Sequence, residues 1–96
     1  MTGRVQLKHP QGKRAVTMSK ETYDLLKPSV MNCLRRKGEA TFTEILEGCA
    51  ADLKKAGTPV KGSLSWYLEW VKLDLEARKL IRRSSDSTLQ KYRLSR

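Results

Sequence analysis

From Leu64 onward the chain reads "LSWYLEWVKLDLEARK", and its apolar residues fall on two sides of a helix rather than one. At about 100° per residue, Leu64, Tyr67, Leu68, Val71 and Leu75 gather on one side, which predicts the core face. Trp66, Trp70, Leu73 and Ala77 gather on the far side as a second stripe, and Ser65, Glu69, Lys72, Glu76 and Lys79 hold the polar arc between them. The pattern predicts a helix from Leu64 to Lys79 that is apolar on two faces. Two readings of the second stripe stand. The N-terminal part of the chain covers it, or it is an interface with a second copy or a protein partner, with Trp66, Trp70 and Leu73 as anchors.

Other periodicities place the remaining elements. "RVQLKHPQGKRAVTM" alternates as strands do, with Val5 and Leu7 meeting Val16 and Met18 across a Pro-Gly turn. Ser19 is a plausible N-cap for a helix whose Tyr23, Leu26, Val30, Cys33 and Leu34 recur at helical spacing. Pro28 lies inside that run and should kink or restart the helix, because it removes a backbone donor. Gly38 is a natural exit. Ala40 to Phe42 suits a brief strand, and Thr41 with Glu44 has the spacing of a capping box. A second helix with Ile45, Leu46, Cys49 and Leu53 as its apolar stripe then runs to about Ala56 and ends at Gly57. After the third helix, Leu80–Ser84 and Leu89–Leu94 read as a hairpin turned by "SSDS", with Tyr92 and Leu94 alternating with Lys91 and Arg93.

The order is hairpin, helix, short strand, helix, helix, hairpin. From "EATFTE" onward this is the order of a winged helix-turn-helix, an α+β fold of three helices and a C-terminal hairpin wing, here with an extra N-terminal hairpin. Residues 1–18 form the extension and residues 19–96 the winged-helix domain in this reading.

Charge sharpens the picture. The 96 residues carry a formal net charge of +10. Residues 1–20 contribute +5, residues 21–81 only +1, and residues 82–96 contribute +4. A field concentrated in the two ends favours a polyanionic partner, with nucleic acid ahead of a membrane surface. No run of apolar residues is long enough for a membrane span, and the N-terminus lacks the apolar core of a secretory signal. Cys33 and Cys49 both fall on apolar helix faces, which predicts buried free thiols in a reducing cytoplasm.

The chain resembles a family of small bacterial proteins of unknown function, of similar length, in which an N-terminal hairpin precedes a winged-helix domain. The resemblance rests on "TFTEI" at Thr41–Ile45, "WYL" at Trp66–Leu68, "VKLDLEARKLIRR" at Val71–Arg83 and the layout of "VQLKHPQGKRAVTMSKETYDLL". It implies a fold and no activity.

The candidate chemistry points away from catalysis. His9 is the single histidine and sits in a predicted turn. Asp74 and Glu76 are two apart on a helix and diverge. Two cysteines and one histidine do not supply four zinc ligands, and the sequence carries no nucleophile or phosphate-loop motif. No catalytic residue, metal site or cofactor is expected. The expected function is non-enzymatic nucleic-acid binding, mainly to duplex DNA, with transcriptional regulation among the roles it admits. Arg14, Lys72, Arg82, Arg83, Lys91 and Arg93 are the candidate contacts. The third helix has no net charge between Leu64 and Lys79, which argues for backbone contact led by the wing rather than base readout. The same neutrality keeps an alternative open, a protein–protein interaction module on a winged-helix scaffold.

Overall fold

Strand β1 (Arg4–Gln6) pairs antiparallel with β2 (Thr17–Ser19), Val5 opposite Met18, and the Leu7 N–H bonds the Val16 carbonyl at 3.1 Å just beyond the ladder. This computed structural model describes residues 3–57, 62–84 and 90–95. It is an α+β arrangement of three helices and two small antiparallel sheets. Leu7 and Met18 turn inward, as their alternation predicts, and both are buried.

Helix α1 (Lys20–Lys37) starts at Ser19, whose hydroxyl accepts the Thr22 N–H at 3.2 Å. It continues through Pro28, where the sequence predicts a kink or restart. Tyr23, Leu26, Ser29 and Val30 are buried on both sides of the proline, so packing holds the turn that lacks one backbone bond. Gly38 closes the helix at φ 81°, donating its N–H to Leu34 at 2.8 Å.

Strand β3 (Ala40–Thr41) leads directly into α2 (Phe42–Ala56). The capping box is formed: Thr41 Oγ1 accepts from the Glu44 N–H at 3.2 Å, and Glu44 Oε1 accepts from the Thr41 N–H at 2.9 Å. That backbone bond holds the Glu44 carboxyl below its ordinary range. Gly48 sits where α2 crosses α1, and a Cβ there would stand 3.2 Å from Cys33 Sγ. Cys33 and Cys49 are buried free thiols; burial raises Cys33 and pushes Cys49 up to about 11, which disfavours the reactive thiolate.

Helix α3 (Leu64–Ala77) begins at Ser63, whose hydroxyl accepts the Trp66 N–H at 3.2 Å. Its Leu68, Val71 and Leu75 are fully buried and share one core with Leu34 and Ile45, while Leu46 packs at its margin. The helix ends two residues before the predicted Lys79. The Lys79 N–H bonds Glu76 at 3.0 Å and the Leu80 N–H bonds Leu75 at 2.9 Å, with Lys79 at φ 63°. These are the two bonds of a Schellman closure, which needs a left-handed residue at that point.

Strands β4 (Ile81–Ser84) and β5 (Lys91–Leu94) form the C-terminal hairpin, and β5 also pairs with β3, giving the order β3-β5-β4. Tyr92 stands opposite both Ala40 and Arg83. The turn expected at "SSDS" falls largely on residues 85–89, outside the described residues. No described helix is long and apolar enough to cross a membrane.

Candidate nucleic-acid interface

The loop between β1 and β2 is ordered by its own chemistry. The Gly12 N–H bonds the His9 carbonyl at 2.9 Å, the Gln11 N–H bonds His9 Nδ1 at 3.1 Å, and Gly12 takes φ 74°. These contacts form the turn that projects Lys13 and Arg14 outward; both are exposed. The loop is fastened to α3 at its other end, where the Lys8 N–H donates to Asp74 Oδ1 at 2.8 Å.

Asp74 is wholly buried on α3. Besides Lys8 it accepts from the Tyr23 hydroxyl at 2.5 Å and from Arg78 Nε at 2.9 Å. One carboxylate thus joins the N-terminal loop, α1 and the end of α3. Burial and the neighbouring carboxylate push the Tyr23 hydroxyl up to about 12, while the bond to Asp74 raises Arg78 above its ordinary value. The Asp74 carboxylate is sealed at 0% exposure and meets these three donors inside the fold.

Between the loop, the second half of α3 and β4 lies an open groove of about 940 Å³. Leu73 and Ile81 contribute its apolar lining; Lys13, Lys79, Arg82 and Arg83 contribute cations. Among its described lining residues the one carboxylate is Glu76, whose side chain is only 7% exposed and accepts from Arg83 Nε at 3.0 Å. Two smaller hollows adjoin it. Lys13 is shared with one that also holds Lys8 and Arg14, and Lys79 is shared with one that holds Arg35. Shared cations therefore link Arg14 to Arg82 along one surface.

The hairpin sheet presents a second cationic face. Arg82 lies directly opposite Arg93, and Lys91 lies one pleat along on the same side. Like charges opposed across a ladder are destabilising. Among the described residues, Arg93 has one acidic neighbour, Glu39 at 4.0 Å.

Of the sequence candidates, Arg14, Arg82 and Arg83 share the linked grooves, and Lys91 and Arg93 lie on the outer sheet face. Lys72 does not join them. It is 5% exposed, and its ammonium lies 5.4 Å from the Phe42 ring centroid and 4.8 Å from that of Tyr92. It donates to Glu69 at 2.7 Å and to the Tyr92 hydroxyl at 3.0 Å. Burial alone would lower its pKa, yet those bonds outweigh burial and raise it. The physical reason for this placement is position: Lys72 follows Val71 on the rim of the core face, so its stem is drawn between two rings.

The residues of the second apolar stripe meet three different surroundings along α3. Leu73 lines the groove beside the N-terminal loop, Trp70 packs half-buried against the core, and Trp66 remains 49% exposed. Trp66 meets Tyr67 and Trp70 edge to face, at 5.3 Å and 6.2 Å between ring centroids.

Lys8, Lys13, Lys79 and the Asp74 cluster are absent from the sequence candidates. Lys79 had a legible signal: the first two helices are followed by Gly38 and Gly57, whereas the third has no glycine to end on. Asp74 is an acid enclosed by Val71, Leu73 and Leu75, a placement that calls for buried donors.

No curated protein and no solved structure matches this chain. A family model described as a family of unknown function, DUF6958, matches residues 4–92, from the start of β1 into β5. The chain belongs to that family.

Proposed function

We propose that this is a non-enzymatic nucleic-acid-binding protein with a winged-helix domain, in which α3 is the second helix of the helix-turn-helix and β4–β5 the wing. It grips duplex DNA by its backbone, and regulation of transcription is a role open to it. The observation that carries the reading is the linked cationic surface from Arg14 through Lys13 and Lys79 to Arg82, continued by Lys91 and Arg93. Glu69 and Glu76, the acids that would repel phosphates from this side, are each bonded to a cation of the same chain. Such a surface supports phosphate contact without base readout. The reading carries with it a bacterial cytoplasmic setting, where Cys33 and Cys49 stay reduced.

The test is a salt titration of a labelled duplex. With about four phosphates contacted, log K falls against log salt with a slope of about −3.6. Replacing Lys91 and Arg93 together with Ala weakens binding on every sequence and flattens the slope by about two. Absence of binding at low salt overturns the reading.

A second reading, a protein-interaction module, is favoured by the exposed Trp66 beside Trp70, an aromatic edge of the kind that anchors interfaces.

A further inference from the structure

Lys79 is the one non-glycine residue with positive φ among the described residues. Helices α1 and α2 leave through glycines at φ 81° and 68°, the residue type that takes this conformation freely. Helix α3 leaves through a lysine at φ 63°. The fold does not require a cation there. Arg78 already supplies the positive charge that suits a helix C-terminus, and it is bonded to Asp74. The Lys79 ammonium, by contrast, has no ion-pair or hydrogen-bond partner among the described residues, and the residue is exposed. It lines both the large groove and the hollow beside Arg35. A left-handed backbone conformation at a cation with no partner among the described residues points to use of the side chain by a ligand.

We propose that Lys79 anchors a phosphate site in the groove between the N-terminal loop and β4, where it takes one sugar-phosphate unit of a nucleic acid together with Lys13 and Arg82. The proposal deepens the nucleic-acid reading and rests on it. Both walls are fixed before the ligand arrives. The Lys8–Asp74 bond and the His9–Gly12 turn hold the loop, and the Schellman closure holds Lys79. Pre-ordered walls leave little ordering for binding to do. The lining suits a sugar-phosphate better than a bare anion: the partly buried Leu73 offers an apolar seat for the sugar, backed by the buried Ile81, and Lys13, Lys79 and Arg82 surround it with charge. Arg83 is engaged by Glu76 and is a secondary contact.

The experiment compares the full chain with Lys79→Gly, Lys79→Asn and Lys79→Arg. Lys79→Gly relieves the backbone and removes the charge, so it melts roughly 4 °C higher than wild type. It nevertheless binds labelled duplex more weakly on all sequences, with the salt slope smaller by about one. Lys79→Asn, which tolerates the left-handed conformation, loses binding in the same way, and Lys79→Arg retains it. In a parallel NMR titration, thymidine monophosphate shifts the amides of residue 79, Leu80, Gln11, Gly12 and Lys13 in wild type and not in Lys79→Gly. If Lys79→Gly matches wild type in affinity and slope while the Lys91–Arg93 double variant is weakened, the Lys79 site is wrong and the nucleic-acid reading stands. Nucleotide shifts confined to the groove without duplex binding support the site and overturn the reading. Neither duplex binding nor groove shifts overturns both.

Discussion

The carboxylate of Asp74 accepts the backbone N–H of Lys8 at 2.8 Å, across 66 positions of sequence. It is the bond that fixes the N-terminal loop to α3, and it is made by a side chain that also holds Tyr23 and Arg78. Asp74→Ala leaves three donors without their acceptor and should cost about 3–5 kcal/mol, as breaking buried charge pairs does. Denaturant melts measure this. Hydrogen exchange on Asp74→Asn should show the Lys8 amide opening well before the α1 core. A Lys8 amide that stays as protected as in wild type would show that the loop is held by other contacts.

Tyr23 gives the same cluster a pH signature. Its hydroxyl is pushed up to about 12 by burial and by Asp74, from an ordinary value of 10.0. A folded pKa above the unfolded one means stability that is complete below pH 10 and lost as pH rises toward 12. Urea melts across that window should show wild type losing more stability than Tyr23→Phe, which has no proton to release. Parallel losses in the two proteins would assign the effect to other groups.

Lys72 separates fold from binding. Replacing it with Ala removes an ammonium held between two rings and should destabilise the fold by about 2 kcal/mol. The same change should leave the salt slope of DNA binding where it was, because that charge is enclosed and bonded to Glu69. A flatter slope would show that Lys72 swings outward to reach phosphate.

The two tryptophans should behave differently. Trp70 packs against the core, and Trp70→Ala should cost about 2 kcal/mol, below the fully buried aromatic range. Trp66 is half-exposed, and Trp66→Ala should cost less than about 1 kcal/mol. Sedimentation is expected to give one mass for wild type and both variants. A wild-type dimer that Trp66→Ala dissolves would assign the aromatic edge to a second copy of the chain.

Elements governed by local chemistry were legible in the sequence. Ser19, Thr41 with Glu44, and Gly57 act where their residue types place them, because a cap is decided within four residues. The core face of α3 follows from periodicity alone, since Leu68, Val71 and Leu75 have no other way to leave water. The site was less legible. Arg82, Arg83, Lys91 and Arg93 could be found by charge clustering, but nothing local tells that Lys72 is sandwiched while Lys79 has no side-chain partner among the described residues. That distinction depends on Phe42 and Tyr92, which are distant in sequence and meet only when β5 reaches β3. Helix α1 runs on through Pro28 for a related reason: burial on both flanks outweighs one missing hydrogen bond.

The sheet order β3-β5-β4 has a kinetic consequence. The last described strand is the central one, so β3 stays without a ladder partner until Tyr92 arrives opposite Ala40. The hairpin of β4 and β5 closes over a short loop, whereas joining it to β3 closes one several times longer, at a greater entropic cost. The helices and the hairpin should therefore form early, and their union through Ala40 and Tyr92 should be late on the folding pathway. Truncations at that seam, Tyr92→Phe among the mildest, should speed unfolding and leave the refolding rate nearly unchanged, as positions unformed in the transition state do. The enclosure of Lys72 between Phe42 and Tyr92 would then be among the last events of folding, completed only when the seam shuts.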